Sequence, residues 1–382
     1  MSTSRSVVHL VPQLRLGVGR YVVDTALEQR REGWRVWVGV SASESGEWRN
    51  DPRLLAELGD GSVDVLEPGD FFHRSNTSLF ETARALRSAL PPAARQGVAH
   101  AHTAIAAAVA RWAGIETVVA TCHGWSLTRD QAFNLQDALA FGLVDAVTSP
   151  SAHWAHALRR EMGVSEVSVI PVGLDLTRYP APPTAAGAST PRRIVCLAEL
   201  TARKGLSDLL DALPALWADA PDVELHLFGD GDARVALEQQ AAGIDTRGKR
   251  VMFHGFVPRP FSRLHEFDLF CLPSRSDNYP VALMEAMLAR LPVVSTSVGG
   301  IPELVTESGC GAVVSPEAPA ELAAAISGIL GLSAVERSGL GGRGERFIRE
   351  RCAIGVTVRQ LLALYAGART RRTNSEGPSP CA

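Results

Sequence analysis

Two carboxylates in the last third of the chain carry the clearest chemical signal in the sequence. Asp277 lies in a polar loop, and Glu285 follows eight positions later among strong helix formers, with Pro280 between them at a position that suits a first helical turn. A carboxylate in the second turn of such a helix is an acceptor for ligand hydroxyl groups, while the N–H groups and dipole of the helix N-terminus favour an anion. The alternative is that Asp277 and Asn278 only cap a helix and that Glu285 is solvated.

A histidine is the corresponding candidate in the first half of the chain. Thr117–Thr121 predicts a buried strand, and Cys122-His123-Gly124-Trp125 follows its carboxyl end. Ligands bind beyond the carboxyl ends of strands in open α/β sheets, so the pattern indicates His123 as a site residue. A half-buried histidine that is bonded to backbone is the alternative.

Two other features of the first half have an open chemical meaning. His100 and His102 alternate along a predicted strand and so share one face, but the sequence shows no third metal ligand nearby, which favours a structural or cleft-lining role. Gly17 and Gly19 precede a helical pattern over Tyr21–Arg31. They predict either a close approach of backbone to phosphate or sugar, or simply a tight turn.

Alternating strands and helices must position these groups. Short apolar runs alternate with helical patterns from Val7–Val11 onward, which is typical of parallel sheets with helices on their faces. A chain of 382 residues suits two domains, and the proline-rich stretch 180–191 has the composition of a linker. We therefore predict a first domain over residues 1–182, a second over 190–351, and a disordered polar tail over 369–382.

The stretch Cys271–Glu303 resembles the retaining nucleotide-sugar glycosyltransferases of family 4, the glycosyl transferases group 1. Their signature is an acid, seven residues, a glutamate followed by alanine, and then a Gly-Gly-x-Pro-Glu turn. Here Asp277 replaces the usual glutamate, Glu285 matches, and the turn is Gly299–Glu303. The resemblance covers about residues 7–366. It implies the α/β fold GT-B, in which two Rossmann-like domains face each other across a cleft and a C-terminal helix, here 352–368, crosses back to the N-terminal domain.

The resemblance also implies roles for single residues. Lys204 matches a lysine that binds the donor diphosphate, Glu285 would hold the ribose hydroxyls, and Asp277 and His123 would orient the donor sugar. These four form the predicted catalytic set. Further donor-side residues are Gly17, Gly19, Arg203, Val257, Asn278, Tyr279 and Pro280. We place His102 and Trp125 on the acceptor side.

Glu199 is the largest departure from the family pattern, because it stands where an arginine usually binds phosphate. In one account Arg203 takes over that contact and Glu199 orients it. In the other account the diphosphate loop is electrostatically weakened. A separate Asp230-x-Asp232 pair could suggest a metal, but the family has a similar Gly-Asp-Gly turn without one.

Composition narrows the partners. The formal charge of −3 argues against general nucleic-acid binding, and no apolar run approaches the ~20 residues of a membrane span. The N-terminus lacks the pattern of a secretory signal, and the six cysteines are widely scattered without a Cys-x-x-Cys pair. We predict a cytoplasmic protein without a transmembrane segment, and peripheral membrane contact stays open.

The combined expectation is a retaining glycosyltransferase of the hexosyltransferase type. It would move a sugar from a nucleoside-diphosphate donor, with UDP preferred, to a hydroxyl of a small-molecule or glycan acceptor, as in carbohydrate or natural-product biosynthesis. No cofactor or metal is expected, because the nucleotide sugar is itself a substrate. The alternatives are a nucleotide-sugar hydrolase or epimerase of the same fold, and a catalytically weak binding subunit.

Overall fold

The computed structural model describes residues 5–41, 49–72, 75–124, 131–181, 192–246 and 248–375. The chain divides into two compact units. Unit 1 comprises Met1–Asp175 and Cys352–Ala382, and unit 2 comprises Leu176–Arg351. The first unit thus ends before the predicted boundary at residue 182, and the predicted linker after that residue lies outside the described part of the chain.

The first segment of unit 1 alternates strands with helices. Its strands are β1 (Ser6–Leu10), β2 (Arg35–Ser41), β3 (Asp64–Gly69), β4 (Val98–Ala101), β5 (Thr117–Thr121), β6 (Ala146–Ser149) and β7 (Val167–Val169). Its helices are α1 (Leu16–Arg31), α2 (Pro52–Asp60), α3 (Asn76–Ala89), α4 (Pro92–Arg95), α5 (Ala104–Trp112), α6 (Gln131–Phe141) and α7 (Ala152–Met162). The strands pair in parallel in the order β3-β2-β1-β4-β5-β6-β7.

Unit 2 also alternates strands with helices. Its strands are β8 (Arg193–Leu197), β9 (Glu224–Phe228), β10 (Val251–Phe253), β11 (Leu269–Leu272), β12 (Val293–Thr296) and β13 (Gly311–Val314). Its helices are α8 (Leu206–Asp219), α9 (Arg234–Ile244), α10 (Phe261–Leu264), α11 (Val281–Leu288), α12 (Ile301–Ser308), α13 (Pro319–Leu330) and α14 (Ala334–Arg351), and α15 (Ile354–Ser375) then completes unit 1. The sheet is parallel in the order β10-β9-β8-β11-β12-β13.

Each sheet changes direction once in its strand order. The switch lies between β1 and β4 in unit 1 and between β8 and β11 in unit 2. The loops that leave two such neighbouring strands run to opposite faces, so a crevice opens beyond their carboxyl ends, and ligands of open α/β sheets bind there. The topology therefore marks one binding edge in each unit.

Apolar burial explains why α15 belongs to unit 1. The helix packs on α1 and β5, and Val358, Leu361 and Tyr365 have no exposed surface. Hydrophobic side chains of this size each gain about 1.5–3 kcal/mol on full burial. The return of the last helix to the first unit, which the family resemblance implies, is confirmed.

Two local predictions were wrong. Gly17 and Gly19 lie in the first turn of α1, which begins at Leu16, and not in a loop before the helix. Gly19 is buried, and a Cβ there would lie 2.7 Å from the carbonyl carbon of Leu14, so close packing explains that glycine. Residues 369–375 of the tail predicted to be disordered continue α15, in which Ala368 is buried within unit 1, and residues 376–382 of that tail lie outside the described part of the chain.

No single helix in the described ranges is both long and apolar enough to cross a membrane. The bent pair formed by α13 and α14 meets the length and composition criteria jointly. Buried core helices of soluble proteins meet the same criteria, and α13 buries Leu322, Ile326 and Leu330.

Candidate functional site

Two loops at the switch point of unit 2 are joined through their backbones. The loop after β8 ends in the 3-10 turn Ala202–Lys204 and in Gly205, which has φ +64°. The loop after β11 donates two backbone hydrogen bonds to the carbonyl of Arg203, from Arg275 at 2.9 Å and from Ser276 at 3.2 Å. A Cβ on Gly205 would lie 2.1 Å from the Pro273 carbonyl oxygen, so only glycine allows this approach.

A buried ion pair connects these loops. Lys204 Nζ lies 2.5 Å from Asp277 Oδ2, and each side chain is only 11% exposed. Ser274 Oγ donates to the same carboxylate oxygen at 3.0 Å, and the Asn278 N–H donates to Oδ1 at 3.2 Å. The fold thus brings two predicted site residues together across 73 positions of sequence, and it holds the ammonium group in a defined place.

Glu285 lies in the second turn of α11, as predicted, and it has a partner that the sequence did not reveal. Tyr179 Oη donates a hydrogen bond to Glu285 Oε1 at 3.0 Å. Burial raises the pKa of Glu285 from 4.5 to about 7, while the bond from Tyr179 acts in the opposite direction. No local pattern could have found Tyr179, because it lies 106 positions away, beyond the linker region and just after a 3-10 turn.

A third loop, the turn after β12, contacts the backbone of the Asp277 loop. In the turn after β12, Gly300 N–H donates to the Asn278 carbonyl at 2.6 Å. Gly299 has φ +54°, and a Cβ there would lie 2.0 Å from the Asp277 carbonyl oxygen. The Gly-Gly turn is therefore a structural requirement of the Asp277 loop.

Four other donor-side candidates lie along the same edge of the sheet of unit 2, whereas Gly17 and Gly19 lie in α1 of unit 1. Tyr279 and Pro280 are buried directly before α11, and Asn278 is half-buried. Val257 is half-buried in the loop between β10 and α10.

Glu199 and Arg203 form an exposed ion pair, with Arg203 Nη2 at 3.4 Å from Glu199 Oε2. The carboxylate therefore contacts the guanidinium group, as the first account of this loop requires. The two side chains are 37% and 50% exposed, so the pair contributes little stability by itself.

Both carboxylate oxygens of Asp230, the first acid of the Asp-x-Asp pair, have partners within the protein. Its Oδ2 lies 3.1 Å from Arg234 Nη1, and its Oδ1 accepts a hydrogen bond from the Gly231 N–H at 2.9 Å. An aspartate that caps its own turn and pairs with an arginine is poorly disposed to ligate a cation.

In unit 1 the predicted His123 follows β5 and is half-buried. Its Nε2 lies 3.1 Å from His102 Nδ1. His102 Nε2 in turn lies 3.0 Å from Nδ1 of His9, a residue that the sequence analysis overlooked. His102 is buried and lies between His9 and His123, so the structure shows it as a neighbour of His123, and its predicted acceptor contact stays a prediction. Trp125 lies outside the described residues.

Burial keeps this histidine cluster neutral. It lowers the pKa of His9 and of His123 to about 4, and it holds the pKa of His100 and His102 well below the usual value. His9 is the third histidine that the sequence appeared to lack, because β1 pairs with β4 and sets His9 beside His100. Ring nitrogens of His9, His100 and His102 lie within 4.8 Å of one another, close enough to share an ion.

Comparison with known proteins shows the family of this chain. The family model described as "Glycosyltransferase Family 4" matches residues 16–178, and the one described as "Glycosyl transferases group 1" matches residues 191–331. The chain belongs to the family 4, group 1 glycosyltransferases. This membership accounts for both halves of the chain, since one description covers most of the first segment of unit 1 and the other covers most of unit 2.

Curated glycosyltransferases match part of the chain. The amylovoran biosynthesis glycosyltransferase AmsK of Erwinia amylovora is 38% identical over 144 residues, which are 36% of this chain and 35% of that protein. A GDP-mannose-dependent alpha-(1-6)-phosphatidylinositol monomannoside mannosyltransferase of Mycolicibacterium smegmatis is 28% identical over 240 residues, 56% of this chain and 61% of that protein. The chain thus spans between about a third and two thirds of these glycosyltransferases.

Solved structures match nearly the whole chain. HepE of Anabaena, in a complex with UDP-glucose, superposes with a TM-score of 0.74 at 20% identity, covering 95% of this chain and 99% of that one. At this identity the likeness concerns the fold, and it confirms the predicted α/β class GT-B with its two Rossmann-like units.

Proposed function

We propose that this glycosyltransferase moves a sugar from a UDP-linked donor to a hydroxyl group of a small-molecule or glycan acceptor, with retention at the anomeric carbon. The observation that carries the proposal is the arrangement at the switch point of unit 2. There Lys204, Asp277 and Glu285 lie on loops and a helix that follow β8 and β11. Tyr179, which precedes β8, donates a hydrogen bond to Glu285. A cation and a hydroxyl acceptor on one sheet edge suit the diphosphate and ribose of a nucleotide sugar.

Lys204 is the proposed diphosphate ligand. An ammonium group has three N–H donors, and Asp277 accepts one of them, which leaves donors for phosphate oxygens. In the proposal Asp277 acts by holding Lys204, in place of the direct sugar contact that the family resemblance implies. Pre-positioned charge of this kind stabilises the charge that develops on a leaving group.

Glu285 is the proposed ribose ligand. Tyr179 occupies one acceptor position on Oε1, and the carboxylate has further lone pairs for the two ribose hydroxyls. In unit 1 the candidate substrate contact is His123, whose Nε2 is bonded to His102 and whose Nδ1 is the remaining ring nitrogen.

The proposed reaction needs no protein nucleophile. The bond between the anomeric carbon and the diphosphate oxygen breaks, and its electron pair passes to the diphosphate. The acceptor oxygen bonds to the same face of that carbon, and the hydroxyl proton passes to the departing phosphate oxygen. The protein contributes orientation and fixed charge.

The similar proteins differ in the nucleotide of the sugar donor that their names or structures contain. The HepE structure contains UDP-glucose, whereas the mycobacterial enzyme is named as GDP-mannose-dependent. We propose UDP, and calorimetric titration of the full chain with UDP-glucose and with GDP-mannose tests the choice. Tighter binding of GDP-mannose would reverse it.

An acceptor panel read by mass spectrometry tests the reaction class. Glycosylated acceptor together with released UDP supports transfer. Release of free sugar or of an isomerised sugar without acceptor supports the hydrolase or epimerase alternative. Donor binding without any turnover supports the binding-subunit alternative, which rests on the acid at position 199.

A further inference from the structure

Seven side chains in unit 1 form one continuous chain of hydrogen bonds. In order they are His123, His102, His9, Gln29, Tyr365, His100 and Thr121. The successive distances are 3.1, 3.0, 2.7, 3.2, 2.6 and 2.6 Å. Six of the seven residues are buried, and His123 at the beginning is half-buried.

The chemistry of Gln29 gives the first half of this chain a direction. Gln29 Oε1 can only accept, so His9 Nε2 must carry its proton. A neutral imidazole has one N–H, so His9 Nδ1 is an acceptor and receives the bond from His102 Nε2. By the same step His102 Nδ1 accepts from His123 Nε2.

The second half continues in the same direction. Gln29 Nε2 donates to Tyr365 Oη, and the Tyr365 hydroxyl donates to His100 Nδ1. His100 Nε2 then donates to Thr121 Oγ1. In this arrangement every hydrogen bond has one donor and one acceptor, and reversing the bonds between His123 and Gln29 requires the Gln29 amide to turn over.

We propose that Gln29 and Tyr365 are positioning residues that set the tautomer of His123. They hold its proton on Nε2 and leave Nδ1 as a hydrogen-bond acceptor for a substrate hydroxyl. The substrate contact rests on the proposed function, whereas the tautomer does not. Residues from α1 and α15 would in this way control a group at the end of β5.

The same contacts argue against a metal at this place. All six ring nitrogens of His9, His100 and His102 already have a hydrogen-bond partner among the seven side chains of this series. An ion bound to one nitrogen of each ring would break at least two of these bonds and leave buried donors unpaired.

Nuclear magnetic resonance of ring nitrogens tests the tautomer on the full chain without substrate. Long-range proton–nitrogen spectra of histidine-labelled protein distinguish a protonated nitrogen from a bare one. We expect His123 to be neutral, with the proton on Nε2, between pH 6 and 8. A charged His123, or a proton on Nδ1, would overturn the proposal.

Tyr365→Phe supplies the second test. It removes the hydroxyl that accepts from Gln29, so the amide can turn over and the chain can reverse. We expect part of the His123 population to move its proton to Nδ1. Tyr21→Phe is the matched control, because Tyr21 is also buried and packs edge-on to His123, while its hydroxyl is not one of the seven groups of this hydrogen-bond series. Equal spectra for the two variants would overturn the coupling.

Kinetics separate the tautomer from its use. We expect Tyr365→Phe to lower kcat/KM about fivefold to tenfold, with UDP affinity unchanged, because one hydrogen bond to substrate is weakened. A wild-type chain that shows the expected tautomer but transfers no sugar would contradict the proposed function alone. A shifted tautomer with unchanged kcat/KM would contradict the substrate contact of His123.

Discussion

Glu285 and Asp277 are both carboxylates beyond the strands of one sheet, yet they have different partners. Asp277 is paired with a lysine, whereas Glu285 accepts a hydrogen bond from the neutral phenol of Tyr179. Burial without a cation disfavours the ionised form, so the pKa of Glu285 rises to about 7. The two acids are therefore open to different experiments.

Replacing Glu285 by alanine should weaken donor binding. A charged acceptor that receives hydrogen bonds from ligand hydroxyls contributes on the order of 1.5–3 kcal/mol, or about 10- to 150-fold in Kd. Calorimetry with UDP-glucose measures the change, and Glu307→Ala, an exposed acid on α12, is the control. Unchanged affinity in a folded Glu285→Ala variant would remove Glu285 from the ribose role.

The raised pKa of Glu285 also predicts how stability depends on pH. Between pH 4.5 and about 7 the folded chain holds a proton at Glu285 that the unfolded chain has lost, so this contribution is present at low pH and disappears as pH rises. Glu285→Gln cannot ionise. The difference in unfolding free energy between Glu285→Gln and the wild type should therefore shift in favour of the variant by about 1–3 kcal/mol as the pH rises from 4.5 to 7.5. Parallel pH profiles from urea unfolding would refute the shift.

Variants of the loop with Glu199 distinguish two accounts, one in which Arg203 binds the donor phosphate and one in which the loop is electrostatically weakened. If Arg203 binds phosphate and Glu199 orients it, then Arg203→Ala, Lys204→Ala and Glu199→Ala should each lower kcat/KM, the first two by about 10- to 100-fold. The 3.4 Å contact between Glu199 and Arg203 favours this account. Glu199→Arg is the decisive variant. A gain in donor affinity and turnover there, combined with an indifferent Arg203→Ala, would favour the weakened loop instead.

At the scale of elements, three loops after β8, β11 and β12 support one another at their backbones. Gly205 lets the first approach the second, and Gly299 lets the third approach the second. The position of Asp277, and through it that of Lys204, thus depends on atoms that are not side chains.

Gly299→Ala should disturb the site without touching a functional side chain. Its Cβ would lie 2.0 Å from the Asp277 carbonyl oxygen, in a backbone region that favours glycine. We expect a loss of about 1–3 kcal/mol in unfolding free energy and weaker UDP-glucose binding. Gly243→Ala in α9 is the control, because open space surrounds that position and alanine favours a helix. Equal stability of the two variants would contradict the backbone argument.

At the scale of the whole molecule, the described residues of both units include side chains that resemble metal ligands. Unit 1 has His9, His100 and His102, and unit 2 has Asp230 and Asp232. The histidines bond to one another and to their neighbours, and Asp230 pairs with Arg234.

Transferase activity should therefore survive chelation. The proposed reaction neutralises the diphosphate with Lys204 and the N-termini of nearby helices, and it gives no role to a divalent ion. Turnover is measured before and after dialysis against EDTA, with Mg²⁺ or Mn²⁺ added back. Activity that is lost on chelation and restored by the metal would return Asp230 and Asp232 to consideration, and Asp232→Asn would then identify the site.

Local sequence determines much of this protein. Thr117–Thr121 is a strand in both the prediction and the structure, because a short apolar run between breakers is a local property. Lys204, Asp277 and Glu285 are predicted site residues for a similar reason, since each lies in a short motif next to a strand end. The α/β class and the family also follow from such stretches, because a local pattern of residues does not depend on where the segment lies in the folded protein.

Tertiary structure alone decides which of these groups meet. Tyr179 contacts Glu285, and Tyr365 contacts His100 across 265 positions, through the packing of helices on a sheet. His9 becomes a neighbour of His100 only when β1 pairs with β4 in one particular register. Periodicity predicts which face a side chain occupies, but it carries no information on which strand lies alongside. The direction of the histidine chain therefore exists only in the folded protein, where burial removes water as an alternative partner for each ring.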